Sequence, residues 1–357
     1  MKKSNSVKKG YALVLAALLA LPCFGLLQTQ AAGRIDTSRE CSLTVSVEVS
    51  ENTGGNEAYL EDFNRMSIPV SVYRVADVDA TGQKFTPTAP FAGTGGLDMS
   101  KIEQGPSGMT AADWQELSLQ AENIRRKENP EAAGTAVIRK DDGSTAAAQG
   151  KITGLTPGLY LVVPAPTGNP DYTVQYTFAP YLTALPSSDY TISGAGSDEW
   201  IYDTTIGLKP DAEPLYGKLN IIKTLQNYNE SLGQATFVFQ ITGVDKNGVT
   251  KYEEVESMTF SAAGSNTVTL ERIPAGLTVT VTEVYSGASY TIEGSDTDTA
   301  LIWSDLAVEA GVGQEASVEF ANRYDGGNRS GYGVTNHFAS DGNGGWIWEN
   351  PTTAAGE

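Results

Sequence analysis

The chain has 357 residues, with 43 acidic and 24 basic side chains and a formal net charge of −19. A chain this acidic is poorly suited to a phosphate backbone, which needs clustered Lys and Arg, so no nucleic-acid partner is expected. Two cysteines are too few for a disulfide scaffold, while 38 Gly, 16 Pro and 40% hydrophobic residues fit a β-rich globular chain rather than a disordered one.

The N-terminus carries Lys2, Lys3, Lys8 and Lys9 and no acid before an apolar run, Tyr11–Leu27, which contains Pro22. Small residues follow in QTQAA (Gln28–Ala32). This succession reads as a secretory signal over residues 1–31, with removal near Ala31. Its apolar run sits at the short limit for a bilayer span, so no transmembrane anchor is expected in the mature chain. Cys41 is then the single mature cysteine, and no internal disulfide is expected.

Beyond the signal, SLTVSVEV (42–49) alternates strictly, with Leu43, Val45, Val47 and Val49 on one face. IPVSVYRV (68–75), LYLVV (159–163) and YTVQYTF (172–178) also read as short strands. TAADWQELSLQAENIRRK (110–127) is the one strong helix pattern. Thr110 is its N-cap, with Asp113 three residues on. Trp114, Leu117, Ala121 and Ile124 recur at helical spacing, and basic residues close it. The segment PDAEP reads as a linker over residues 210–215. After it come strands at 219–224, 235–242, 267–270, 277–285 and 318–324, with no helical periodicity. The fold class is therefore all-β: two immunoglobulin-like β-sandwich domains, 42–209 and 216–324, the first with a helical insertion. Residues 325–357 form a Gly- and Asn-rich tail with Trp346 and Trp348.

Enzyme signatures are missing. His337 is the one histidine, so a His-based zinc cluster has no ligands, and no metal or other cofactor is expected. G-x-S-x-G, P-loop and dinucleotide fingerprints are absent. DVDATG (77–82) imitates the start of a calcium loop, but its twelfth position is Thr88 rather than Glu, so a hairpin turn is expected.

The second domain holds the informative pattern. Leu219, Ile221 and Lys223 share a face by period two. So do Leu277, Val279, Val281, Glu283 and Tyr285, and so do Val318, Phe320, Asn322 and Tyr324. A Lys, a Glu and an Asn thus stand where core residues belong. Three separate strand ends pointing to solvent would explain them; so would one buried cluster. Burial would lower the Lys pKa and raise the Glu pKa. A neutral amine is a nucleophile, and a protonated Glu beside the Asn amide can move its proton. The product would be a Lys–Asn amide, with ammonia lost.

LNIIKT, VTVTEV and FANRY resemble the lysine strand, E-box and asparagine strand of Cna protein B-type domains from Gram-positive pilins and adhesins. The resemblance covers 216–324. It implies an autocatalytic isopeptide between Lys223 and Asn322, with Glu283 as catalytic acid/base. IPVSVYRVADVD, ITGLTPGLYLVV, TFAPYLTALP and WIYDTTIGLKP resemble, in order, the N-terminal domain of sortase-assembled pilins. That implies Lys209 as an intermolecular pilin lysine. Family members commonly read V-Y-P-K where this chain has Ile206-Gly207-Leu208-Lys209. Parity puts Lys209 on the outward face with Asp203, Thr205 and Gly207. The opening strand has no Lys on its core face, so no isopeptide of this kind is expected in the first domain. The chain ends NPTTAAGE, without an LPxTG-like signal, so it is not expected to act as a sortase donor by that route.

The resemblance therefore implies a secreted, cell-surface structural subunit of a Gram-positive fimbria, partnered by other pilin subunits and a sortase, and not a turnover enzyme. The alternative is an adhesin whose first domain binds a host or matrix ligand through a helix-bearing insertion at 85–150.

Overall fold

The structure is a computed structural model that describes residues 33–47, 57–103, 109–141, 143, 147–188, 199–327, 337–340 and 346–349. The expected signal at 1–31 lies outside the described residues. The chain divides into two compact units, Met1–Glu213 and Pro214–Glu357.

In chain order the first unit holds β1 (Cys41–Val47), α1 (Glu57–Arg65), β2 (Ser67–Val78), β3 (Phe85–Pro87), α2 (Ser100–Glu103) and α3 (Ala111–Glu128). Next come β4 (Gly134–Arg139), β5 (Gln149–Leu155), β6 (Gly158–Pro164), β7 (Thr167–Gly168), β8 (Val174–Phe178) and β9 (Tyr181–Leu185). The last are β10 (Ser187–Ser188), β11 (Trp200–Ile201), β12 (Asp203–Leu208) and β13 (Pro210–Pro214). A large sheet runs β12-β1-β5-β4-β2-β6-β9, with β3 on β2, and a small one runs β13-β8-β7. Alternation decides which residues fill the core: Leu43, Val45 and Val47 of β1 are buried with Val70, Ile138, Ile152 and Tyr176.

Helix α3 covers another part of the unit. Thr110 and Asp113 form a reciprocal capping box, and Trp114, Leu117 and Ala121 are buried with Leu159, Leu161 and Leu182. Asn129 ends the helix in the left-handed region, at φ 45°. The helix is where the spacing placed it. The insertion reading at 85–150 needs correction. Within it, β3 and β4 both pair with β2, so these residues belong to the main sheet.

The segment 210–215 is also not a plain linker. Pro210–Pro214 is the outer strand of the small sheet, and Ala212 packs against the core. Proline is tolerated there because an edge strand leaves some N–H positions unpaired. In DVDATG, Asp79 Oδ1 accepts from the main-chain N–H of Gln83 and Lys84, both at 3.2 Å, and closes the turn before β3.

Cys41 is buried at the start of β1, and burial pushes its thiol up to about 11. Because the thiolate is the reactive form, Cys41 should resist iodoacetamide at neutral pH until the unit is unfolded. Rapid labelling of the native chain, read by mass, would contradict this.

The second unit holds β14 (Tyr216–Leu225), β15 (Ala235–Val244), β16 (Thr250–Phe260), β17 (Gly264–Pro274), β18 (Thr278–Tyr285) and β19 (Tyr290–Glu293). It continues with β20 (Thr297–Leu301), α4 (Asp305–Glu309), β21 (Ala316–Tyr324) and a hairpin of β22 (His337–Ser340) and β23 (Trp346–Glu349). One sheet runs β17-β14-β21-β19 and the other β16-β15-β18-β20. The inner positions of both sheets supply the core: Leu219, Ile221, Phe237, Phe239, Ile241, Val279, Val281, Val318 and Phe320 are all buried. Gly217 is required by packing, since a Cβ there would stand 1.8 Å from the Trp303 carbonyl oxygen.

Candidate functional site

The first and last long strands of the second unit, β14 and β21, lie side by side and parallel. Lys223 is paired with Phe320, and Leu225 with Asn322. The Lys223 and Asn322 side chains therefore start two positions apart on neighbouring strands. Glu283 comes from β18, in the other sheet. Each follows its strand's inward parity, and all three are buried: Lys223 and Asn322 are 0% exposed and Glu283 4%.

Their polar atoms meet. Lys223 Nζ donates to Glu283 Oε2 and, at 2.5 Å, to Asn322 Oδ1. Asn322 Nδ2 donates to Glu283 Oε1 at 2.6 Å and to the Ser286 carbonyl oxygen at 3.3 Å. The Glu283 carboxylate thus bridges the amine and the amide nitrogen, one oxygen to each.

Aromatic rings wall the cluster. Lys223 Nζ lies 4.7 Å from the centroid of Phe237, 5.7 Å from that of Phe239 and 6.0 Å from that of Phe320. Ring faces attract a cation, yet the same rings exclude water, and exclusion dominates here. Burial holds the Lys223 amine below its usual range, opposed by the Glu283 carboxylate. Burial likewise raises Glu283, opposed by its bonds to Lys223 and Asn322, while the Asp296 charge pushes it further up. Both directions favour moving one proton from nitrogen to oxygen, which leaves a neutral amine and a neutral acid.

The structure therefore brings Lys223, Glu283 and Asn322 together. Lys209 belongs to the first unit, just past β12, and is exposed, as are Asp203 and Thr205, while Thr204 and Leu208 are buried. Two parts of the site are not read from the sequence. The ring wall has a signal, the FVF alternation of β15. The Ser286 carbonyl has none, because any residue carries that group. Among the described residues, no group of three or more His, Cys, Asp and Glu could hold a metal ion. No helix among them is long and apolar enough to cross a membrane.

A family model described as a domain of unknown function (DUF5979) matches residues 219–325, the stretch that carries all three cluster residues. Comparison with curated proteins found no match. Among solved structures, the chain is similar to the basal pilin SpaE of Lactobacillus rhamnosus GG, at 15% identity over 80% of this chain and 99% of that one, with a TM-score of 0.29. It is similar to the major pilin SpaD of Corynebacterium diphtheriae at 12% identity, over 84% of this chain and 100% of that one, with a TM-score of 0.26. A minor pilin of Streptococcus agalactiae matches at 12% identity, over 82% of this chain and 99% of that one, with a TM-score of 0.23.

Proposed function

We propose that the second unit closes an amide between Lys223 Nζ and Asn322 Cγ, and that the chain is a secreted structural subunit of a Gram-positive surface fimbria. The observation that carries the first part is the buried contact of an amine, a carboxyl and a carboxamide with no water-exposed member. Glu283 Oε2 takes a proton from Lys223. The neutral amine adds to Asn322 Cγ. Nδ2 takes a second proton from the same amine, relayed by Glu283, and leaves as ammonia. An ion pair and a primary amide become a secondary amide, a neutral Glu and ammonia, so atoms and charge balance. This is one turnover per chain, without a cofactor, and not enzymatic turnover of a substrate.

Before reaction, the Lys223–Glu283 pair holds one proton in either charge arrangement. The closing rate should therefore be flat across neutral pH. It should fall in acid, where both groups are protonated and nothing accepts the amine's proton. It should fall in alkali, where the pair is empty and no acid serves the leaving nitrogen. A rate rising steadily with pH, followed by intact mass, would instead mean simple amine deprotonation without Glu283.

The fimbrial part rests on the resemblance of the motifs and on Lys209, which is exposed at the end of the edge strand β12. Lys209 is assigned as the amine that joins a neighbouring subunit through a sortase. Lys209→Ala should then remove the high-mass covalent species from the native cell surface. Their persistence in a denaturing gel would reject that role and leave the internal amide untouched.

A further inference from the structure

We propose that the turn after β18 fixes which atom of Asn322 faces Glu283, through the main-chain carbonyl of Ser286; the inference rests on the amide-forming reading above. A carboxamide can rotate by half a turn and exchange its oxygen and nitrogen. Once the proton has passed from Lys223 to Glu283, neither reacting partner forbids that exchange. A carboxyl accepts when ionised and donates when protonated, and a neutral amine does both. A main-chain carbonyl only accepts. In the observed orientation Nδ2 donates to Ser286 O at 3.3 Å and to Glu283 at 2.6 Å. Reversed, Asn322 would set oxygen against the Ser286 oxygen, and that half-buried acceptor would lose its donor. Ser286 O is thus the contact on Asn322 whose polarity stays constant through the reaction. The orientation it selects puts the leaving nitrogen beside the acid.

The local backbone is built around this contact. Phe239 pairs with Glu283 and Val238 with Tyr285, which leaves Val284 as a bulge directly after Glu283. A bulge bends its strand and re-aims the residues beyond it. The chain then turns at Gly287, whose φ of +82° suits glycine. A Cβ there would stand 3.1 Å from Tyr290 Cδ2 and 3.7 Å from Phe237 Cε1. Phe237 is the ring nearest to Lys223 Nζ. Tyr290 opens β19, which places Ile292 opposite Asn322. Phe237, one of the rings that wall the cluster, therefore also lies beside the turn. Ser286 and Gly287 are positioning residues, acting through Asn322.

The test measures ammonia loss by intact mass after a short pulse of cell-free synthesis of the full chain. Ser286→Ala keeps the carbonyl and should close at the wild-type rate. Gly287→Ala should fold, by circular dichroism, yet close about tenfold more slowly, the cost of one displaced hydrogen bond. Asn322→Asp should close with loss of water, slowly at neutral pH and faster in mild acid, because only a protonated carboxyl can donate to Ser286 O. Its penalty should shrink in the Gly287→Ala background, where that acceptor has moved. Gly287→Ala closing at the wild-type rate overturns the proposal. So does Ser286→Ala closing as slowly as Gly287→Ala. If Gly287→Ala does not fold, Asn322→Asp closing as fast as Asn322 at neutral pH overturns it. A wild-type chain that never loses ammonia overturns the amide-forming reading as well, whereas wild-type closure with a neutral Gly287→Ala rejects this inference alone.

Discussion

Lys223→Met should leave the full chain one ammonia heavier than wild type, after allowing for the residue exchange, and much easier to unfold. Lys223 and Asn322 are 99 positions apart, so their amide closes a long loop. By the chain-entropy argument used for disulfides, a link of that span contributes roughly 4–5 kcal/mol by restricting the unfolded chain. Methionine is the informative replacement because it fills similar volume without a buried charge. The remaining Glu283, already raised by burial, can sit neutral against Asn322. The loss then reports the missing link rather than an orphaned ion. Urea unfolding of both chains, with intact mass on the same samples, gives the comparison. Equal masses in wild type and variant would show that no amide forms.

Glu283→Gln should slow closure by about 10²–10⁴-fold, the range expected for removing a positioned general acid–base. Gln keeps the shape and can still bond to Asn322, but it cannot take the proton from Lys223. Glu283→Ala adds a second effect. Both variants leave the buried Lys223 without its carboxylate, at a cost of about 3–5 kcal/mol, but Ala also opens a void and takes away the acceptor of Asn322 Nδ2. The two variants should thus share a slow mass change and differ in stability, with Ala the weaker. Closure of Glu283→Gln at the wild-type rate would remove Glu283 from the chemistry. Gln and Ala variants of equal stability would mean that the side-chain bond to Asn322 and the volume at position 283 contribute nothing to the fold.

The positions of Lys223, Glu283 and Asn322 were legible because strand parity is rigid: once the alternation is set by Ile221, Val281 and Phe320, the next inward residue is fixed. The capped helix α3 was legible for a similar reason, since its signals all lie within one short segment. What failed depended on partners far along the chain. Pro210–Pro214 has turn composition, and only the distant strand β8 makes it a strand. β4 lies in a stretch that reads as an insertion, and its pairing with β2 reaches back past the whole of α3. β16 went unnoticed because most of it is exposed, so its side chains carry little hydrophobic rhythm, although β15 pairs with it along its full length. The Ser286 contact was unreadable in principle, being made by main chain in the turn after β18.

The parallel adjacency of β14 and β21 has a mechanical consequence. A pull applied where the chain enters at Tyr216 and leaves at Tyr324 draws these two strands past one another lengthwise, loading the bonds of their shared register together rather than one by one. Lys223 and Asn322 stand near the far end of that seam. With the amide closed, tension passes from β14 into β21 through that single covalent rung, and everything between the two residues is bypassed. Unravelling that segment would otherwise release roughly 330–350 Å of slack at 3.3–3.6 Å per residue. The closed unit would behave as a short inextensible bar, its length under load set by β14 and the last residues of β21.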